Sequence, residues 1–248
     1  MPGMRKKTNK SRSMAQKFAD PGILYQTKLL AFAKKFIKYV SKECDKHGIT
    51  FELVHAKFLP SDSSDAPGER YFGYFDEGHG YKELKVASDR PLEHLIYLIA
   101  HEFSHLRQWK DVGFEDQFLA DGTYSGDVIS SFLSGRRTSR DKLEWAVSAH
   151  IAIELDCEKR AIALLTRLGC PADLKKYIKI ANGVLIHYQE NIRRRSYTKT
   201  GRIIADEPSI YQEMPDDFDT INYFDRSVCK AYPKIRALYS KRFAAQLG

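Results

Sequence analysis

The chain has 248 residues, 43% of them hydrophobic and 29% charged, and a formal net charge of +8. That balance suits a folded domain in water and excludes a disordered or fibrous chain. No segment approaches the ~18 uninterrupted apolar residues of a membrane span, and no apolar run follows the basic N-terminus as a secretory signal requires. A cytoplasmic protein with no membrane partner is therefore expected, its four cysteines (Cys44, Cys157, Cys170 and Cys229) reduced and none in a CxxC pair.

Arg5, Lys6, Lys7, Lys10, Arg12 and Lys17 precede the first acidic residue, Asp20, and account for most of the charge excess. Residues 1–19 read as a disordered basic tail able to meet nucleic acid or an acidic partner, or simply to keep the chain solvated. Residues 20–248 read as one domain. A first helix is written over Leu24–His47, where apolar residues recur at helical spacing and Gly48 supplies the stop. A strand-like run, Ile49–Leu59, precedes a Ser-, Asp- and Pro-rich loop over residues 60–69. Tyr71–Phe75 and Tyr81–Ala87 form a candidate hairpin about the turn at 76–80. Pro91 opens a helix to about Lys110, with Asp89 near its start. After an irregular stretch with a short element near Val128–Leu133, a long helix is predicted over Asp141–Leu168, with Asp141 and Glu144 in the form of a capping box. Another helix covers Ala172–Arg195, and a last one Pro233–Ala245 beyond a loop-like segment.

Within the Pro91 helix stands His101-Glu102-Phe103-Ser104-His105. Residues four apart on a helix share a face, so His101 and His105 can offer two imidazoles to one metal ion, with Glu102 beside them to take a proton from water. With 8 His and 14 Glu in the chain, shuffling gives ~0.015 such matches, so chance is a poor account of it. Two histidines and a glutamate would also be costly in so apolar a helix without a shared purpose. Gln108 and Asp111 occupy the places where a glycine and a third histidine would complete a metzincin site, and His94 lies ~10 Å back along the axis.

A third ligand must therefore come from elsewhere, and the long downstream helix carries a stripe at intervals of four: His150, Glu154 and Glu158. Glu154 is the preferred ligand, with Asp156 and Cys157 as alternatives. Glu158 is placed to accept a hydrogen bond from a ligand histidine, and His150 to support the same group. Tyr188, on the following helix, is the candidate donor to a developing oxyanion, ahead of His187, Arg193 and Tyr211. The run Arg193-Arg194-Arg195 reads either as a solvated helix end or as a contact for acidic partners.

His-Glu-Phe-Ser-His followed 49 residues later by Glu-Leu-Asp-Cys-Glu-Lys-Arg-Ala resembles the gluzincin clan of zinc metallopeptidases. The second segment is similar to those of HtpX-type and ImmA/IrrE-type peptidases, and both together look closest to small HExxH metallopeptidases of bacteriophages. The specific likeness covers about 20 residues, with a looser match in organisation over roughly residues 71 to 168. It implies an α+β, minimal zincin-like fold: a small twisted sheet, then the active-site helix, then a mostly helical C-terminal half. It also implies one Zn2+ per chain, protein or peptide substrates, and the host cytoplasm for a phage-encoded chain. Cys157 stands where those families usually carry Ala, and Glu158 where they carry Asp. The leading expectation is a zinc endopeptidase with Glu102 as general base. Its competitors are a catalytically inactive accessory factor of the same fold that binds nucleic acid or protein, and a zinc hydrolase of small substrates.

Overall fold

A computed structural model describes residues 21–60, 70–77, 82–195, 208–225 and 227–237. The basic tail, the loop 61–69 and most of the turn after Asp76 lie outside the described residues. Helix α1 (Pro21–Asp45) leads into β1 (Thr50–Val54), β2 (Leu59–Pro60), β3 (Arg70–Tyr71), β4 (Gly73–Asp76) and β5 (Glu83–Ala87). The strand-like run 49–59 is thus two strands, because the backbone bends between Val54 and Leu59. β5 is the centre of a three-stranded sheet, parallel to β1 and antiparallel to β4, while β2 and β3 pair separately. β4 is left as an edge strand, in register with β5 from Gly73 opposite Val86 to Asp76 opposite Glu83.

The remaining described elements are helical: α2 (Leu92–Val112), α3 (Ser125–Leu133), α4 (Arg140–Arg167), α5 (Leu174–Arg194) and α6 (Pro208–Tyr211), with single 3-10 turns at Glu115–Gln117 and Val228–Ala231. The molecule is a mixed α+β fold with a small sheet early and helices late. No described helix is long and apolar enough to cross a membrane.

Two expectations about helix starts are corrected. The cap of α4 is Ser139, whose hydroxyl accepts from the Lys142 amide, so Asp141 lies inside the first turn and forms no capping box. Glu144 instead meets Arg140 one turn back. Asp89 does not cap α2, which begins after Pro91 without a side-chain cap. The fixed φ of Pro91 preorganises that start, and its missing N–H removes one orphan donor. The short element near Val128 extends back to Ser125, and the segment read as loop contains α6 and a 3-10 turn. The last helix is described over 233–237.

Two apolar cores flank α4. In the first, Phe36 and Val40 of α1, Leu84 and Val86 of β5, and Ile96, Ile99 and Phe103 of α2 meet Ala161 and Leu164 of α4. In the second, Val147 and Ile151 of α4 meet Leu185 and Ile186 of α5 and the C-terminal residues Met214, Tyr223 and Ile235. Leu155 packs against both. Each fully buried Phe, Leu or Ile contributes roughly 1.5–3 kcal/mol, enough in sum to hold α2 and α4 face to face. Tyr97 adds a directional tie, its ring stacked on Tyr177 at 4.5 Å and its hydroxyl 2.8 Å from the Asp173 carbonyl at the start of α5.

Candidate metal centre

The apolar face of α2 is buried against the sheet and α1, and its opposite face meets α4. Their crossing brings His101 and His105 onto Glu154, Cys157 and Glu158. The two imidazoles approach edge to face, with Nε2 atoms 3.2 Å apart. Glu154 straddles them, Oε2 lying 3.6 Å from His101 Nε2 and Oε1 3.7 Å from His105 Nε2. On the far side of the His101 ring, Nδ1 is held by Glu158 Oε1 at 3.1 Å, with the Cys157 sulfur 3.6 Å away.

The outer hydrogen bonds decide which atoms face inward. His105 Nδ1 lies 2.9 Å from Gln108 Oε1, while Gln108 Nε2 donates to the Ile153 carbonyl and to Asp156 Oδ2, both at 2.8 Å. With its amide protons directed to those two acceptors, Gln108 offers oxygen to His105. Nδ1 of His105 therefore carries the proton and Nε2 presents a lone pair. Burial lowers the His105 pKa to about 4, so the ring is neutral at pH 7. His101 donates from Nδ1 to Glu158, and its Nε2 faces that lone pair. Such a contact is satisfied by a proton on His101 or by a cation shared between the rings. Burial alone would lower the pKa of His101, but the adjoining Cys157 and Glu158 carry it well above the ordinary value. Of these two, Glu158 supplies the charge, because burial pushes the Cys157 thiol up to about 12 and keeps it neutral. For Glu154 burial alone would raise the pKa, but the facing imidazoles, of which His101 carries the charge at pH 7, leave it lowered and the carboxylate ionised.

His101, His105 and Cys157 form a largely buried group whose donor atoms gather within 4.8 Å, able to hold a metal ion. Glu154 and Cys157 compete for the third place. The sulfur approaches His101 from the Nδ1 side and donates to the His101 carbonyl at 3.1 Å, whereas Glu154 faces both Nε2 atoms. The two Nε2 atoms converge, and Glu154 lies on their side of the ring. Asp156 is turned to the surface, where it holds Arg160 at 2.6 Å, and it touches the centre only through Gln108.

The centre opens into a cleft of about 680 Å³ between the β4 edge and the helices α3, α4 and α5. Glu102 lies at its floor, 6% exposed and pressed against Gly73 of β4. A Cβ at Gly73 would stand 2.8 Å from Glu102 Cγ and 2.9 Å from its Oε1, so the glycine makes room for the carboxylate. His150 and Tyr188 meet on the opposite wall with ring centroids 4.7 Å apart. Tyr124 also lines the cleft, its ring laid over Gly126. His187 lines it too and is held by Asn191 at 2.9 Å.

His101, Glu102, His105, His150, Glu154, Glu158, His187 and Tyr188 thus line one cleft, whereas Asp156, Arg193 and Tyr211 do not. Gln108 and Gly73 escaped notice, because their roles depend on partners far along the chain. The arginine triplet is turned to internal use: Arg193 and Arg194 both hold the buried Glu190, and Arg195 spans the carbonyls of Phe132 and Arg136. Compared with known proteins, the chain matches no family model, no curated protein and no solved structure.

Proposed function

We propose that this chain is a zinc-dependent endopeptidase in which His101, His105 and Glu154 hold one zinc ion and Glu102 is the general base. The observation that carries this reading is the spacing of the inward donors. Ligands at about 2.0–2.2 Å from a tetrahedral zinc stand about 3.3–3.6 Å apart. The two Nε2 atoms are 3.2 Å apart, and Glu154 reaches them with separate oxygens, Oε2 at 3.6 Å from His101 and Oε1 at 3.7 Å from His105. Two imidazoles and a carboxylate, with one side open to a cleft, are a donor set suited to catalytic zinc once His101 gives up its Nε2 proton to the metal. Cys157 remains in reach of the same group, but its sulfur lies on the Nδ1 side of His101 and is bonded to backbone, which makes it the poorer third ligand.

Zinc in this place would supply electrophilic polarisation of a carbonyl and acidify water. The chain does the rest. Glu102 is adjacent to a ligand and confined between α2 and Gly73, so its carboxylate can accept a proton from the attacking water and return it to the departing amine. The β4 edge beside it offers backbone groups along which an extended peptide can lie. Across the cleft, Tyr188, seated against His150, is the donor proposed for the oxyanion.

The test is metal content by mass spectrometry together with hydrolysis of unfolded casein. The wild type should hold about one zinc per chain, His105→Ala and Glu154→Ala should lose it, and Glu102→Gln should keep it. The last variant should lose hydrolysis by about 10²- to 10⁴-fold. A wild type that is offered zinc and binds none ends the proposal. Zinc binding without casein hydrolysis in the wild type transfers the reading to a hydrolase of small substrates or to an inactive binding factor.

A further inference from the structure

We infer that Gln108 is the positioning residue of the metal centre, selecting the tautomer of His105 and fixing the third-ligand helix against it through one amide. This inference rests on the reading of His101, His105 and Glu154 as metal ligands.

Gln108 is 2% exposed and sits one turn beyond His105 on α2. Its oxygen is 2.9 Å from His105 Nδ1, and its nitrogen donates at 2.8 Å to both Ile153 O and Asp156 Oδ2 on α4. A carboxamide turned by 180° would aim its oxygen at a carbonyl and a carboxylate, losing both bonds to α4. The orientation is therefore unique, and so is the tautomer it imposes: proton on Nδ1, lone pair on Nε2. Ile153 immediately precedes Glu154, so the same amide fixes the backbone that presents the proposed third ligand. Outward, the chain of bonds continues from Asp156 to Arg160 at 2.6 Å, and from Arg160 back to Asp111 of α2 at 2.6 Å. A closed circuit of side chains thus joins the two ligand-bearing helices. Partners that orient a ligand histidine typically change metal affinity about 10- to 100-fold when removed.

A purely structural glutamine would tie the helices without dictating which nitrogen of His105 carries its proton. Nitrogen-15 NMR of the imidazoles in the metal-free protein reads that directly. The wild type should show His105 protonated at Nδ1; protonation at Nε2 alone overturns the inference, whatever any variant does. Zinc affinity is then measured by competition with a chromophoric chelator in three proteins. Gln108→Leu should bind zinc about 10- to 100-fold more weakly than the wild type. The double variant Gln108→Glu with Asp156→Asn keeps an acceptor for His105 and supplies a donor from position 156. It leaves the Ile153 carbonyl without its donor, so it should bind zinc more tightly than Gln108→Leu but less tightly than the wild type. Gln108→Leu binding as tightly as the wild type overturns the inference while leaving the metal centre intact. A wild type that binds no zinc removes the metal centre itself and the inference with it.

Discussion

Replacing Gly73 by alanine tests the placement of Glu102 without touching a proposed ligand. Gly73 is not in the left-handed region, so its backbone admits alanine. The obstacle is space: the new Cβ would lie 2.8 Å from Glu102 Cγ, 2.9 Å from Oε1 and 3.0 Å from the Lys85 carbonyl oxygen. Ordinary contact begins at 3.4 Å, so Cγ must retreat by 3.4 − 2.8, or 0.6 Å, and the carboxylate by about as much. The Lys85 carbonyl belongs to the strand paired with β4, so the strand cannot retreat freely to spare the side chain. Misplacing a reacting group by about 1 Å can cost about 100-fold, so a 10- to 100-fold fall in kcat is expected, about 1.4–2.7 kcal/mol of barrier. Stability should fall by no more than a similar amount. Overpacking costs about 1–3 kcal/mol, partly offset by about 0.4–1 kcal/mol from restricting the unfolded chain. The assay is casein hydrolysis at saturating substrate, with zinc content measured on the same preparation. Full zinc with a wild-type rate would refute the role given to Glu102. Loss of zinc would show that the clash is relieved through the ligands instead.

Chelation should lower the melting temperature, because zinc at 100 times its Kd stabilises the folded chain by about 2.7 kcal/mol, or roughly 5–10 °C for a chain of this size; His105→Ala should abolish the difference. Cys157→Ala should keep one zinc per chain while Glu154→Ala loses it, and the reverse outcome in a metal assay would make the cysteine the third ligand. Glu190 has a fully buried side chain and holds both Arg193 and Arg194, so Glu190→Gln should destabilise by about 3 kcal/mol in urea titration at pH 7. Burial opposes the ionised form of Glu190, but the two arginines prevail and hold its pKa low. Its contribution is therefore complete above the unfolded carboxylate value of about 4.3, and the gap between wild type and Glu190→Gln should close only as pH falls through the lower, folded value.

The helices were legible because their apolar periodicity is long and their stops are local: Gly48 and Gly169 both take positive φ where the pattern breaks. The HExxH pair was legible for the same reason, since two histidines one turn apart need no tertiary information to share a face. The stripe His150, Glu154, Glu158 carried the third contribution by the same arithmetic. What stayed hidden depends on contacts between distant segments. Gln108 acquires meaning only when α4 supplies Ile153 and Asp156. Gly73 resembles any strand glycine until Glu102 occupies the space of its missing side chain. The start of α4 was misplaced because Asp141 and Glu144 mimic a capping box, while the cap itself is the serine two residues earlier. The basic triplet could be read either way, since nothing in its own sequence reveals Glu190 folded beneath it or the carbonyls waiting for Arg195.

The stretch between α2 and α4 has a mechanical consequence. Its polar ties run to the helical side of the cleft: Gln117 donates to Ala149 O, Lys142 reaches Thr123, and Arg195 grips the carbonyls at the end of α3. The rim of the cleft is therefore tied to the side that carries Glu154, facing α2 and the sheet with His101, Glu102 and His105. The proposed cation would bridge the two sides, and widening the mouth would cost it a ligand. Under the proposed activity, a cleft of that width would take unfolded segments in preference to intact domains.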